Sequence, residues 1–439
     1  MEPIIIYSPT ASARLTYVLD WLFAIRLQVP YVLTHNADDL PANTFFIAYG
    51  AHFIHALSVP AAGLLGEIGV RQHDITIGNW YGIPTLYAAK DGTTGYTLPF
   101  DMFSAMFFLL SRYEEYYAYT PDKHGRYPAT QSELYKHGWL RRPLVDEWVH
   151  LFGEMLQSYA GITLPVTPFS FTPTYDIDIA YSYLGKGAQR NIGGLAKDML
   201  NGRMNIARQR ASVLLGNAKD PYDSFGKLAE LHKTTKVSPL YFVLCALNNS
   251  AYDKNILPTH PLMVKLVKQL QADGSVFIHP SYNAQTGSVL VKEKEVLEKI
   301  TSTTITSSRQ HYIRNLLPNT YRVLLQHGAT DDYSMGYATH IGFRAGTSHM
   351  FQWYDVLTEN ATPLIIHPFC FMDTAAKYEE KLDVNTAFTA LHLMAMILRQ
   401  NGGRLITVFH NFSLGTSSLW AGWANAYQDF VVEFARSRL

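Results

Sequence analysis

The chain has 439 residues, which is long for a single hydrophobic core and predicts two domains. Its charge is balanced, with 36 Lys and Arg against 36 Asp and Glu, so it lacks the basic excess that draws in nucleic acid. Aromatic residues make up 13% of the chain, enough to leave side chains free for a cleft that stacks against sugars.

The first region alternates short apolar strands with helical patterns, which predicts a smaller α/β domain over residues 1–160. The segments concerned are PIIIYSP from Pro3, an amphipathic stretch from Leu15 to Ile25, YVLTHN from Tyr31 and FFIAYG from Phe45. The later segment FDMFSAMFFLLSRYEEYYAY is apolar all round a helix, and the polar run PDKHGRYPATQS follows it. This order predicts a buried helix before a surface loop.

Three features bear on where the protein works. The N-terminus MEPIIIYSPTASARL lacks the basic head and long apolar stretch of a secretory signal, which predicts a cytoplasmic protein. The stretch from Phe100 to Leu110 contains Asp101 and is far shorter than the ~20 apolar residues of a spanning helix, so we expect no integral membrane segment. Cys245 and Cys370 lie in apolar strand-like runs, which predicts buried thiols and no disulfide.

From about Phe169 strands and helices alternate regularly, which predicts a second domain over residues 165–439. Roughly seven β-α units over about 270 residues match the size of a parallel barrel, so we predict an α/β fold with a distorted (β/α)7-type barrel. Chemistry in such barrels lies at the carboxyl ends of strands. Polar residues follow nearly every predicted strand: Asp176, Asp178, His279, Arg309, His311, Asp332, Arg344, Asp373 and His410. Such a set predicts one shared site.

The first strand of this region ends in Thr174-Tyr175-Asp176-Ile177-Asp178, with two carboxylates at positions i and i+2. In a strand this spacing puts both on one face, close enough for repulsion unless a cation or a proton intervenes. A metal ion is the simplest remedy. The alternative is a pair of loop aspartates that cap the next turn.

The strand SVFI ends in His279, and Asn283 follows four residues later. If the chain turns helically there, both side chains face one way, as metal ligands at i and i+4 do. An Asn oxygen is a weaker and harder ligand than an imidazole, so such a site binds zinc less tightly than a two-His site. The alternative for His279 is a buried imidazole that hydrogen-bonds to the backbone.

Two further elements complete the predicted site. In Gly342-Phe343-Arg344-Ala345-Gly346 the glycines let the backbone bend, so that Arg344 can orient a carboxylate, either Asp373 or Asp176. His410 closes the strand RLITVF and supplies a group that titrates near neutral pH, which suits a general acid.

In this order the four elements resemble the motifs of the carbohydrate esterase family 4, or NodB-homology, polysaccharide deacetylases. The resemblance covers about residues 165–439. The segments SRQHYIR and DDYSMGYATHIGFRAGTS, with FDMFSAMFFLLSRYEEY and RRPLVDEWV before them, look like a Bacteroidetes-type subgroup that carries an N-terminal companion domain.

The resemblance implies a role for each residue. Asp176 matches the catalytic base, Asp178 and His279 match metal ligands, Arg344 and Asp373 match the tether of the base, and His410 matches the acid. Asn283 stands where the family has a second His ligand. The cofactor implied is a divalent metal, zinc above all, with cobalt or nickel as substitutes. The subgroup segments add the site-lining residues Arg309, His311 and Asp332, and Tyr282, which follows His279, is also expected to line the substrate site.

The function predicted from these residues is metal-dependent removal of N-acetyl groups from a glycan or sugar conjugate. In this scheme a backbone N–H near Tyr282 helps the metal to hold the oxyanion. Two alternatives stay open. One is a metal-free, non-catalytic glycan-binding or assembly protein that lost its metal through Asn283, and the other is an esterase that removes O-acetyl groups. The oligomeric state is not predicted.

Overall fold

The computed structural model describes residues 2–41, 45–89 and 95–435, which form an α/β fold. The N-terminal region contains a four-stranded parallel sheet in the order β2-β1-β3-β4 and a two-stranded antiparallel sheet. Its strands are β1 Ile4–Tyr7, β2 Tyr31–Thr34, β3 Phe46–Tyr49, β4 Ala56–Val59, β5 Ile77–Trp80 and β6 Ile83–Leu86. Its helices are α1 Ala13–Leu19, continued by a π-helical stretch Asp20–Leu27, α2 Met102–Leu110, α3 Glu133–Lys136 and α4 Leu144–Ala160.

The C-terminal region is built on a nine-stranded sheet. Its strands are β7 Ser170–Ile177, β8 Leu240–Leu244, β9 Ser275–His279, β10 Ser307–Ser308, β11 Asp331–Asp332, β12 Phe351–Asp355, β13 Asn360–Ile366, β14 Phe371–Met372 and β15 Arg404–His410. Its helices are α5 Ala188–Leu200, α6 Met204–Leu214, α7 Phe225–Thr235, α8 Pro261–Asp273, α9 Gly287–Thr301, α10 Asn319–Gln326, α11 Val384–Gln400 and α12 Trp423–Ala435.

The strands of this sheet follow the order β12-β13-β11-β10-β9-β8-β7-β15-β14. Every neighbouring pair is parallel except β12 with β13. Parallel strands need crossovers of a dozen or more residues, and helices supply most of them here. The predicted α/β alternation is therefore confirmed.

The distorted (β/α)7-type barrel is the part of the prediction that the structure does not confirm. Over the described residues the sheet is open, with β12 and β14 as its edges. Strands β10, β11 and β14 have two residues each, so they offer little ladder for closure. At the open side, the Phe369 N–H donates to Met335 O at 3.1 Å and the Gly342 N–H donates to Cys370 O at 2.7 Å. Irregular chain therefore occupies the place where a closing strand would pair.

The N-terminal region packs against this open side. The Phe343 N–H donates to Leu140 O at 2.7 Å, and a Cβ on Gly342 would lie only 2.3 Å from that same oxygen. Gly342 also has φ +138°, which L side chains rarely adopt, so this close approach requires glycine. The two regions share one continuous hydrophobic core. An extended segment, residues 161–169, joins α4 to β7, and a division into two domains there stays a prediction.

The register of the parallel strands brings the predicted polar residues together. Asp176 at the end of β7 lies opposite His410 of β15, and His279 of β9 lies opposite Leu244 of β8. Both cysteines are buried and free, as predicted. Among the helices of the described ranges, none combines the length and the apolar character needed to cross a bilayer.

Candidate active site

Two carboxylates define the floor of the site at the carboxyl end of β7. Asp176 is the second-last residue of β7 and is buried, whereas Asp178 follows the strand and is partly exposed to a cavity. Their spacing of two residues keeps both on the same side of the sheet, as the sequence predicted. Side chains from β9, the segment after β10 and β15 surround them.

Three imidazoles converge on the Asp178 carboxylate. His279 Nε2 lies 3.1 Å from Asp178 Oδ1, while His311 Nε2 and His410 Nε2 lie 3.4 and 3.3 Å from Asp178 Oδ2. His279 Nε2 is also 3.9 Å from Asp176 Oδ2. The Asp178 carboxylate therefore lies close to the Nε2 atoms of three different histidines.

The other ring nitrogen of each histidine has its own partner. His279 Nδ1 lies 2.5 Å from the carbonyl oxygen of Arg309. His311 Nδ1 lies 3.0 Å from Asp253 Oδ1, and His410 Nδ1 lies 2.7 Å from Asp373 Oδ1. Partners of this kind fix the ring orientation and the tautomer, so that each Nε2 is free to act on what lies in the site.

The charges in this cluster support one another. Burial alone would raise the pKa of Asp178, but His311 and His410 hold that pKa well below its usual range. Burial would lower the pKa of His311, but Asp178 and Asp253 raise it to about 9. Burial also opposes the charged form of His410, yet Asp373 and Asp178 raise its pKa well above the usual value. Strongly shifted groups in a cleft are typical of functional sites.

A metal ion fits this arrangement. The ligand atoms of Asp178, His279 and His311 lie within 4.8 Å of one another. Asp178 Oδ1 is buried and, despite its distance to His279, accepts no hydrogen bond of acceptable geometry. A buried carboxylate oxygen without a donor is costly unless a cation meets it. Carboxylate and imidazole ligands suit zinc and similar divalent metals.

Two of the three predicted ligands belong to this group. Asp178 and His279 lie in it, whereas the side chain of Asn283 is exposed and lies outside it. Pro280 follows β9 directly, and residues 282–285 form a turn before α9 begins at Gly287, so the helical spacing expected of Asn283 does not arise. His311, predicted to line the substrate, takes the third place.

The arginine beside Asp176 is Arg309 and not Arg344. Arg309 Nη1 donates to Asp176 Oδ1 at 2.8 Å, and its Nε donates to Tyr333 O at 3.0 Å. Arg344 instead donates to both carboxylate oxygens of Glu115, at 2.8 and 2.6 Å. The glycine-flanked loop thus directs Arg344 toward the N-terminal region. The predicted contact of Arg344 with Asp373 or Asp176 is not made.

The remaining predicted residues lie in the second layer of the site. Asp373 accepts hydrogen bonds from His410 and from its backbone N–H, at 2.7 and 2.8 Å. Asp332 bonds to Ser308 and Ser334, and burial raises its pKa to about 6. The Tyr282 N–H donates to Asp253 at 2.9 Å, so this particular N–H is already engaged and does not point to an oxyanion.

The site opens into a cavity of about 340 Å³. The C-terminal region contributes the two aspartates, the three histidines and several aromatic rings, including Tyr252, Tyr312 and Phe412. The N-terminal region contributes one loop, with Lys123, His124 and Arg126. Sequence reasoning missed this loop and missed Asp253, because neither follows a strand. Only the register of distant segments, which no local pattern encodes, brings them here.

Comparisons with known proteins give one family and several solved structures. A model described as a family of unknown function (DUF7033) matches residues 4–160, which include the cavity loop. A search of curated proteins gives no match.

Three solved structures are similar to the chain. A protein described as a polysaccharide deacetylase from Mycobacterium smegmatis is 14% identical, with a TM-score of 0.40, and the match covers 62% of this chain and 86% of that one. An allantoinase is 12% identical, with a TM-score of 0.39 and coverage of 62% and 84%. A polysaccharide deacetylase from Bacillus cereus is 11% identical, with a TM-score of 0.29 and coverage of 60% and 87%.

Proposed function

We propose that the protein is a metal-dependent hydrolase that removes N-acetyl groups from a glycan or sugar conjugate. The observation that carries the proposal is the convergence of three oriented imidazoles on the second carboxylate of the Asp176-Ile177-Asp178 pair, at the floor of an open cavity. The motif order in the sequence agrees with this reaction class.

Asp178, His279 and His311 would hold the metal. When bound, a divalent cation supplies Lewis acidity, which activates water near neutral pH and polarises a carbonyl group. Asp253 and the carbonyl of Arg309 hold the two imidazoles in the orientation that ligation requires. The metal set in this proposal therefore contains His311 in place of Asn283.

Asp176 would act as the general base. Its Oδ1 is occupied by Arg309, which leaves Oδ2 for the proton of the attacking water. Arg309 is fully buried and its guanidinium lies 4.2 Å from the ring of Phe242, so packing fixes the tether as well. In this proposal Arg309 takes the role that the motif resemblance implies for Arg344.

His410 would act as the general acid. Asp373 bonds to Nδ1 and favours the protonated imidazole, and Nε2 then carries a proton into the site. Hydrolysis breaks the C–N bond of the amide, the acyl carbon gains the water oxygen as acetate, and the amine leaves with the proton from Nε2. Without that proton an amine anion would have to leave.

The cavity supports a carbohydrate substrate. Its volume of about 340 Å³ lies in the range of small-molecule sites. Tyr252 and Tyr312 pack edge to face with ring centroids 5.6 Å apart, and Phe412 stacks on His410 at 4.8 Å, so rigid aromatic surface lies beside the catalytic groups. Such surface suits the apolar faces of sugar rings.

The alternative of a metal-free, non-catalytic protein assumed that Asn283 replaces a His ligand and thereby prevents metal binding. Because the Asn283 side chain is exposed and apart from the cluster, it gives no reason for metal loss. Removal of an O-acetyl group uses the same water and the same carbonyl chemistry, so the choice of acyl bond is decided by experiment.

The test measures metal content and acetate release from N-acetylated and O-acetylated sugar oligomers. We expect about one equivalent of metal after incubation with zinc, cobalt or nickel, and acetate from the N-acetylated oligomers. Asp176→Asn should keep the metal and lose about 10²- to 10⁴-fold in rate. Asp178→Ala should lose both.

Asp429→Asn, an exposed aspartate on α12, is the matched control and should behave as the wild type. Wild-type protein that takes up no metal, or Asp176→Asn with undiminished acetate release, would contradict the proposal and favour a glycan-binding protein.

A further inference from the structure

A helical hairpin lies between β7 and β8, in the segment of chain that follows Asp176 and Asp178. It consists of α5 and α6, which lie against each other. Asp198 pairs with Arg203 at 2.9 Å and with Arg210 at 2.8 Å, so ion pairs connect the two helices. The hairpin is therefore a defined structural unit.

The hairpin exposes an unusual amount of apolar surface. Ile192 is 66% exposed, Leu200 88% and Leu215 75%. The other exposed large apolar side chains of this segment are Met199, Met204, Ile206 and Leu214. On α5, Ile192, Met199 and Leu200 stand at positions i, i+7 and i+8, which form one helix face. Exposed apolar side chains concentrated on one helical hairpin mark an interaction site, because water favours their burial.

The hairpin is also strongly basic, although the whole chain is neutral. Residues 186–219 contain seven Lys and Arg against a single acidic residue, Asp198. Arg190, Lys197 and Arg208 are exposed and form no ion pair with any carboxylate in the described part of the chain. Their charges are available to an external anionic partner.

We propose that this hairpin docks the protein on the surface of an anionic phospholipid bilayer. Exposed apolar side chains on helices rich in Lys and Arg are the composition of interfacial amphipathic helices, which bury their apolar face at the headgroup boundary. Basic residues near an anionic leaflet add attraction to phosphate groups. A second copy of this chain would bring exposed Arg190, Lys197 and Arg208 close to the same cations of the other copy, which disfavours a symmetric dimer through this surface.

The docking element is fixed firmly to the active-site edge of the sheet. Asp220, just beyond the hairpin, accepts from the backbone N–H groups of Ser182, Tyr183 and Tyr222 at 2.8 to 3.0 Å. Asn411, the neighbour of His410, donates to Ile179 O and Tyr222 O at 3.1 and 2.9 Å. These bonds tie the segments that flank the hairpin to the ends of β7 and β15, so the hairpin is anchored at the edge of the sheet that carries the site.

The experiment is co-sedimentation of the full chain with phosphatidylcholine vesicles, with and without phosphatidylglycerol. We expect binding only when phosphatidylglycerol is present, and weaker binding at high salt because salt screens exposed charges. Leu200→Gln with Leu215→Gln should lower the partition coefficient by at least about tenfold through lost apolar burial. Lys197→Gln with Arg208→Gln should do so through lost charge.

The controls change similar residues elsewhere. Leu393→Gln on α11, where the side chain is 61% exposed, and Lys265→Gln on α8 should bind as the wild type does. Because all substituted side chains are exposed, circular dichroism should show native folding, and acetate release in solution should not change. Equal binding to both vesicle types, or hairpin variants that bind normally, would overturn the proposal. So would self-association that the hairpin variants abolish in the absence of vesicle binding.

Discussion

Two clusters of buried charge lie in this molecule, and they differ in how fully their carboxylate oxygens are hydrogen-bonded. The junction cluster joins the N-terminal region to the open side of the large sheet and consists of Arg112, Glu114, Glu115 and Arg344. Each carboxylate oxygen in it accepts a bond. Glu115 receives Arg112 and Arg344, and Glu114 receives Arg112 and the Glu133 N–H.

The site cluster consists of Asp176, Asp178, His279, Arg309, His311 and His410. Its carboxylate groups are also buried or nearly so, yet Asp178 Oδ1 lacks an aligned donor. One Nε2 atom faces that oxygen and two face Asp178 Oδ2, beside a cavity. A cluster whose carboxylate oxygens all accept hydrogen bonds suits a structural role, whereas a carboxylate oxygen without a donor at a cavity can bind a cation. Both types look alike in a sequence.

The largest effect that separates the clusters should be on stability. Arg344→Met leaves Glu115 short of two donors in a buried place, so we expect the free energy of unfolding to fall by about 3 to 5 kcal/mol. Urea unfolding followed by tryptophan fluorescence measures this loss. Metal content should stay at the wild-type level in the folded protein, because Arg344 contacts no ligand.

The matched control is Arg141→Met, which breaks the half-exposed pair with Glu380. An exposed pair of this kind contributes about 0 to 1 kcal/mol. If Arg344→Met lowers the free energy of unfolding no more than Arg141→Met does, the junction cluster does not stabilise the fold as expected. If it abolishes metal binding in folded protein, the role of the junction cluster is not only structural.

The behaviour of Arg344 also shows how far sequence reasoning reaches. Apolar runs predicted most strands, and the polar residues at their ends included both aspartates, His279, His311 and His410, since parallel strands bring their carboxyl ends together. The partner of an arginine is set by tertiary contacts. Arg344 lies two residues from Gly342 and its tight contact with Leu140, so the N-terminal region determines where it points.

Closure of the sheet was beyond sequence reasoning for a similar reason. Strands β10, β11 and β14 have only two residues each, and loop together with the N-terminal region fills the open side. Asn283 illustrates the same limit at one position. The predicted ligand spacing assumed a helical turn after His279, and Pro280 with the turn at residues 282–285 removes it.

The second prediction changes the residue that orients His311 in the site cluster. Asp253→Asn replaces the carboxylate that orients His311, and we expect metal affinity to fall by about 10- to 100-fold. Competition with a chromophoric chelator measures the affinity. The side-chain amide can still accept a hydrogen bond, so the fold should persist.

The chain provides a close control for this substitution. Asp273 lies 2.8 Å from His232 Nδ1, the same type of pair as Asp253 with His311, but neither of its members belongs to the site cluster. Asp273→Asn should therefore leave metal affinity unchanged. Equal losses in both variants would mean that the effect comes from general destabilisation and not from ligand orientation.

The smallest expected effect concerns His124, on the loop that the N-terminal region contributes to the cavity wall. His124 Nδ1 lies 3.2 Å from the hydroxyl of Tyr282, and its ring lies 4.9 Å from that of Tyr312. Burial and Arg126 lower the pKa of His124, so the ring is neutral at pH 7 and acts as an aromatic surface. Its ring contacts are to the tyrosines of the cavity wall.

His124→Ala should therefore raise KM about 2- to 10-fold, the range of one lost aromatic contact, and leave kcat and metal content unchanged. His137→Ala is the control and should change neither constant. It removes an imidazole that stacks on Trp139, with ring centroids 4.7 Å apart, and that does not line the cavity. A fall in kcat at constant KM would place His124 in the chemistry. The N-terminal region would then belong to the site cluster's reaction as well as to the junction.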